Sequence, residues 1–404
     1  MCWTVLIVAL VVVVGCEAIV NGGDLDAIMQ HLENMYKTTS PTLNTAGGEV
    51  VERCMTSDKL RGECVIYYLC NDNNTANTDG SNVIDIRMRD GPCSSYLDTC
   101  CLPPDIQIQP ILTPNPNYQR QGCGWRNPNG VGLFTTGDVG GEAKFAEFPW
   151  MVAILKTEPL FINENNPSGQ NMNVYVGGGS LIHPNVVLTT AHYVVETRRL
   201  FVRAGEWDTQ TNKEPYPHQD REVVKTVVHK NFNNKNLYYD IALLFLNFPM
   251  ILAPNVGLAC LPSPRQRVPA GTRCFASGWG KDKYGQAGQY QVILKKIDLP
   301  IVDRQVCQRQ LRRTRLGRHF NLHSSFICAG GERDKDTCNG DGGSPLVCPI
   351  EFQKERYMQS GMVAWGIGCG EDGTPGVYVD VAGLRDWIDM NVAAAGYDTS
   401  VYSF

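Results

Sequence analysis

A chain of 404 residues is long for one domain, and two domains are the natural division. Its 43% hydrophobic and 19% charged residues are an ordinary globular balance that supports a sizeable core. A net charge of -5 excludes a global electrostatic pull toward nucleic acid.

Residues 2–14 form an apolar run, followed by Gly15-Cys16-Glu17-Ala18. The run suits the core of a signal peptide spanning 1–18 and is too short for a membrane span. It lacks a preceding Lys or Arg, so a buried helix is the competing reading. Export would place the chain in an oxidising compartment. Of sixteen cysteines, fourteen remain after Cys2 and Cys16, an even number that can pair completely. A metal cluster is disfavoured because repeated C-x2-C spacings are missing.

Residues 19–50 read as a polar N-terminal extension. Cys54, Cys64, Cys70, Cys93, Cys100 and Cys101 then crowd into one short stretch, which predicts a small domain over 51–102 held by three bridges. Six cysteines allow fifteen connectivities, and spacing alone selects none. Asn73 opens the single N-glycosylation sequon. Arg87 and Arg89 are candidate cleavage sites for a trypsin-like protease, or simply solvated arginines. Residues 103–137 read as an extended linker that is rich in proline at its start. From 138 to 395, short alternating apolar runs separated by Gly, Pro and Asn predict many strands: "FPWMVAILK", "GGGSLIHPNVVLTTAHY", "FVRAGEW", "REVVKTVVHK" and "DIALLFL". The segment "VAGLRDWIDMNVA" has helical spacing, with Leu384, Trp387 and Ile388 on one face. Residues 396–404 read as a tail.

Three motifs in order carry a resemblance. They are "LTTAHY" with His192, "YDIALLFL" with Asp240, and "CNGDGGSPLVC" with Gly342. Together with "SGWG" and "VAWGIGCGEDGTPGVYV" they resemble the chymotrypsin-like serine proteases over 138–395. The resemblance implies an all-β fold, a double β-barrel of two six-stranded antiparallel sheets. It implies His192 as general base and Asp240 as the residue that orients it. The nucleophile position is Gly342, which has no side chain to activate. Ser344 stands two residues on, up to about 7 Å along the chain. A base must lie within about 3.2 Å of the proton it takes, so Ser344 is a poor substitute.

Other departures accompany the missing serine. Family zymogens are cut after a basic residue before Ile-Val-Gly-Gly, and the new amino terminus pairs with the aspartate that precedes the serine. Here Gly137 and Asp138 stand at the basic and isoleucine positions, which leaves Asp341 without that partner and implies a zymogen-like oxyanion loop. Gly177 and Tyr193 replace the two cysteines of the family bridge across the histidine loop. The remaining cysteines match the family pairs Cys123–Cys260, Cys274–Cys348, Cys307–Cys328 and Cys338–Cys369. Asp336 holds the specificity position of trypsin-like members, with Gly366 and Gly376 as pocket walls. It is read either as a surviving Arg/Lys pocket or as a carboxylate inherited in a collapsed one.

Two surface features complete the reading. Glu206, Asp208, Thr211 and Glu214 lie on one loop, where several family members hold Ca²⁺; a solvated acidic loop is the alternative. Six arginines between Arg304 and Arg318 form a basic patch, either solvated or facing an acidic partner. The first cysteine group resembles the arthropod clip domain, with its adjacent last cysteines Cys100-Cys101. That family implies Cys54–Cys100, Cys64–Cys93 and Cys70–Cys101. A clip domain with a serine-less protease domain resembles the non-catalytic clip-domain serine protease homologues of arthropod haemolymph. Members of that group act as prophenoloxidase-activating cofactors. The resemblance implies a secreted, non-enzymatic protein cut by a partner clip-domain protease, with prophenoloxidase as a further partner and self-association after the cut. A pattern-recognition or adhesion protein that binds microbial surfaces is the alternative.

Overall fold

The computed structural model describes residues 52–56, 59–66, 83–84, 92–94, 98–102, 122–131, 134–135, 141–159, 171–197, 199–209, 214–281, 290–338 and 340–404. The expectations for residues 1–50, Cys70, Asn73, Arg87, Gly137, Asp138 and Thr211 lie outside the described residues.

The N-terminal unit is a three-stranded antiparallel sheet of β1 (Arg53–Met55), β2 (Arg61–Ile66) and β4 (Asp98–Cys101), in the order β1-β2-β4. Cys54–Cys100 and Cys64–Cys93 are bonded, and Cys101 is itself in a disulfide. Such a sheet buries little apolar surface, so covalent staples supply what a small core cannot. β3 (Val83–Ile84) pairs in parallel with β5 (Phe134–Thr135).

The body is two closed six-stranded barrels. The first contains β6 (Met151–Pro159), β7 (Asn171–His183), β8 (Val186–Thr189), β9 (Leu200–Ala204), β10 (Gln219–Val228) and β11 (Ala242–Leu246). The second contains β12 (Arg273–Gly278), β13 (Lys295–Val302), β14 (Phe326–Gly330), β15 (Pro345–Pro349), β16 (Tyr357–Trp365) and β17 (Pro375–Asp380). Closure removes the unpaired edges that an open sheet must protect. Burial follows the sequence pattern. β11 is apolar throughout and β8 is apolar up to Thr189, and both are buried at every position, whereas burial in β9 alternates. Between the barrels pack Trp150, Met151, Trp207, Trp279, Leu294 and Val347. Trp207 donates to Ala143 O at 2.7 Å, so its one polar atom is satisfied. Truncating such a ring costs about 3–5 kcal/mol.

Among the described residues three α-helices accompany the barrels: α1 (Ala191–Val194), α2 (Arg304–Arg312) and α3 (Val381–Ala394). Asp303 starts α2 by accepting the N–H groups of Gln305 and Val306, and Asp380 starts α3 by accepting that of Gly383. The buried face of α3 carries Leu384 and Ile388 as its spacing predicts, with Trp387 partly buried beside them. It also carries Arg385, whose guanidinium donates to the carbonyls of Leu261 and Pro262 and to Asp389. The stretch 396–404 is no loose tail. Tyr402 is fully buried, its hydroxyl donates to Asp389 at 2.8 Å, and Arg385 lies over its ring.

Residues 122–131 are likewise fastened to the body, although they read as the end of a linker. Cys123–Cys260 bonds them to it, and the Gly124 N–H and carbonyl pair with Leu258 and Tyr357. Arg126 reaches the fully buried Glu147 and lies 4.3 Å from the centre of the Phe275 ring. The bridges Cys274–Cys348, Cys307–Cys328 and Cys338–Cys369 complete the described set.

Candidate functional site

His192 sits on the short helix α1, Asp240 precedes β11, and Gly342 lies in the loop before β15. Asp240 is fully buried and holds His192 twice: its carboxylate lies 2.5 Å from His192 Nδ1 and accepts the His192 backbone N–H at 2.9 Å. This is the pairing that orients a general base. There is no hydroxyl at residue 342 for it to deprotonate. What faces His192 is the Tyr193 ring, with centroids 4.1 Å apart.

Ser344 does not fill the role. It is completely buried, with Oγ lodged between Gly178 of β7 and Gly278 of β12; a Cβ on Gly178 would come within 2.1 Å of it. The loop around Gly342 is otherwise well ordered by its own bonds. Gly178 N–H donates to Gly342 O, and Asp341 accepts the N–H groups of Gly280 and Cys338 at 2.8 and 2.9 Å. Burial pushes the Asp341 carboxyl up to about 6, against those two hydrogen bonds.

Asp336, Gly366 and Gly376 are brought together with Tyr193 and Gly342 around one small cavity of about 70 Å³. That volume holds about two water molecules. Asp336 accepts from Thr337 N–H and Gly370 N–H, and burial pushes its carboxyl up to about 7. A much larger cavity of about 850 Å³ lies on the far side of Asp336 and Asp341, edged by Lys281, Lys295, Lys296 and Lys335. Neither His192 nor Gly342 lines it.

Three tyrosines that sequence reasoning did not place in the site surround the Gly340–Gly342 backbone. Tyr175 donates to Gly340 O at 3.1 Å, Tyr193 stands against Gly342, and Tyr290 packs on Gly340. The signal for Tyr193 was present. Gly177 and Tyr193 read as a lost staple, but the residue that replaced a cysteine is large and its opposite number has no side chain.

On the acidic loop, Glu206, Asp208 and Glu214 are all buried, which excludes a solvated face. Glu206 accepts from Arg203 and contacts His218, while Glu214 accepts the Asp208 N–H. Burial, then the neighbouring Glu214 carboxylate, pushes Glu206 up to about 8. Glu214 Oε2 is buried with no hydrogen-bond partner among the described residues. The three carboxylates do not converge on one point. Among the described residues the one tight trio of potential ligand atoms is Cys54, Cys64 and Cys93, all in disulfides.

The arginine patch divides in two. Arg304 and Arg312 bond the carbonyls of Leu322, Phe326 and Phe320 and so fix the loop after α2. Arg309, Arg313, Arg315 and Arg318 are exposed and have no ion-pair partner among the described residues. Also among the described residues, no helix is long and apolar enough to cross a membrane.

Comparison with known proteins agrees with this architecture. Residues 138–388 match the trypsin family, and residues 52–102 match the serine protease clip domain. The chain is 67% identical to phenoloxidase-activating factor 2 of Galleria mellonella over 302 residues, 75% of this chain and 99% of that one. It is 36% identical to inactive CLIP domain-containing serine protease A8 of Anopheles gambiae over 344 residues, 83% of this chain and 91% of that one. It is 35% identical to the inactive protease A28 of the same mosquito over 381 residues, 87% and 94% of the two chains. With an N-terminal clip domain on two closed barrels, and relatives named as inactive proteases, the chain belongs to the trypsin family, in its clip-domain branch of serine protease homologues.

Proposed function

We propose that this protein is a secreted, non-catalytic cofactor of an immune protease cascade that promotes prophenoloxidase activation. The observation that carries this reading is an intact pair of barrels with an aligned His192–Asp240 pair and no nucleophile at Gly342. Such a body has kept its surfaces and lost its reaction, since removing the nucleophile of a triad costs about 10⁶ in turnover. The 67% identity to a phenoloxidase-activating factor supports the choice of pathway. A partner clip-domain protease cuts this chain, with Arg87 as the proposed site, and the cut form assembles with itself and with phenoloxidase. The four outward arginines are the proposed contact for an acidic partner.

Reconstitution tests the reading. Prophenoloxidase and its activating protease are mixed with cut protein, uncut protein or none. Phenoloxidase activity should rise several-fold with the cut form alone, and an Arg313→Glu/Arg315→Glu variant should weaken the effect and its salt dependence. Activity indifferent to this protein removes the cofactor role; retention on peptidoglycan or β-glucan would then favour direct pattern recognition.

We also propose a structural Ca²⁺ held by Glu206 and Glu214. The buried, unpartnered Glu214 Oε2 beside a second carboxylate fits a cation with oxygen ligands. Saturating calcium should raise Tm by about 5 °C over chelator. Glu214→Ala should abolish that difference, and an equal Tm in both conditions rules the site out.

A further inference from the structure

We infer that Tyr193 is a built-in occupant of the former catalytic cleft: its ring takes the volume that a side chain at position 342 would need. The inference deepens the reading of this chain as non-catalytic and rests on it.

The steric part is direct. A Cβ built on Gly342 would lie 2.1 Å from Tyr193 Cε2 and 3.0 Å from both Cδ2 and Cζ. These are atoms of a rigid ring, and the ring is packed on His192 on its other side. No side chain fits at 342 unless Tyr193 leaves. Gly177 belongs to the same arrangement. A Cβ there would lie 2.8 Å from Gly342 O and 3.3 Å from Tyr193 Cδ2. The absence of a Cβ at 177 lets the Gly342 carbonyl approach and accept the Gly178 N–H at 3.0 Å. Gly177, Tyr193 and Gly342 therefore interlock, and each substitution suits the other two.

The polar part concerns the groups that would stabilise an oxyanion, the backbone N–H groups around the nucleophile. Gly340 supplies one of them, and two further tyrosines pack around it. Its carbonyl accepts Tyr175, and its face is covered by Tyr290, 2.5 Å from where a Cβ would stand. Tyr193 also walls the small cavity that contains Asp336. On the side of His192 and Gly342 the cleft is therefore occupied by its own residue, and Tyr193 stands where a substrate-like strand would approach Gly342.

A double-mutant cycle on the full-length protein tests this, using Gly342→Ala, Tyr193→Ala and the pair. With Tyr193 present, Gly342→Ala should lower Tm by about 5 °C from overpacking. In the Tyr193→Ala background the same change should cost about 1 °C or less. Benzamidine, whose binding needs the cation pocket and no nucleophile, is the second probe. The unmodified protein should show no saturable binding at millimolar concentration, and Tyr193→Ala should. An equal cost of Gly342→Ala in both backgrounds, or benzamidine binding to the unmodified protein, overturns the inference. If Gly342→Ala does not fold, Tyr193→Ala decides alone, and its failure to bind overturns the inference. Neither readout involves prophenoloxidase, so failure here leaves the cofactor role standing.

Discussion

A Gly342→Ser variant should remain inert toward arginyl and lysyl amide substrates, at less than about 10⁻³ of an active family member's turnover. Restoring the hydroxyl replaces one missing part of several. The new Cβ and Oγ would have to displace the Tyr193 ring, whose Cε2 lies 2.1 Å from where that Cβ would stand. Tyr175 and Tyr290 crowd Gly340, whose N–H would serve the oxyanion, and each lost oxyanion donor costs about 10²–10³ in turnover. Both oxygens of Asp341 accept main-chain N–H groups, and the chain has Asp138 where an activating isoleucine would stand. A chromogenic amide assay together with a fluorophosphonate probe measures the outcome. Probe labelling that depends on this single substitution would show that the cleft opens more readily than its packing implies.

The second large effect is structural. Arg126→Met should destabilise the body by about 3 kcal/mol and lower its Tm by about 8 °C. Glu147 is fully buried and is held by Arg126, by Lys296 at 3.1 Å and by the Lys144 N–H at 2.8 Å. Removing the guanidinium leaves a buried carboxylate short of one partner and strips a cation from the faces of Phe275 and Phe148. Burial alone would lower the Arg126 pKa, but the hydrogen bond and charge attraction to Glu147 outweigh it and hold the pKa above its ordinary value. An exposed network makes the control. Arg273, with Asp298 and Glu332 around it, is 42% exposed, and Arg273→Met should shift Tm by about 1 °C or less. Similar losses for the two variants would mean that burial is not what gives the Arg126 pair its strength.

The barrels were legible because their strands carry local signatures. The continuous apolar run of 242–246 and the alternation of 200–204 state their own burial. His192 and Asp240 were legible because each sits inside a short motif of fixed spacing. Contacts between residues distant in sequence left no such trace. No motif marks Arg126 or Arg385, yet both are largely buried because acceptors from other segments converge on them. Residues 122–131 and 396–404 read as linker and tail for the same reason: Cys260, which bonds Cys123, and Leu261, whose N–H donates to the Tyr402 carbonyl, lie far along the chain. Tyr193 was misread differently. Its position was known from the motif, but the volume it fills depends on the missing side chains of Gly177 and Gly342, and absent atoms are hard to read from a string of letters.

The two described clip bridges give proteolysis an unusual outcome. Cys54–Cys100 and Cys64–Cys93 both enclose residue 87, so a cut there falls inside two covalent rings. Hydrolysis would open those rings without detaching anything. The product has the same atoms plus one water, two new termini, and a backbone whose topology has changed. A non-reducing gel would show one band and a reducing gel two. The cut would act as a permanent mark on a molecule that stays whole.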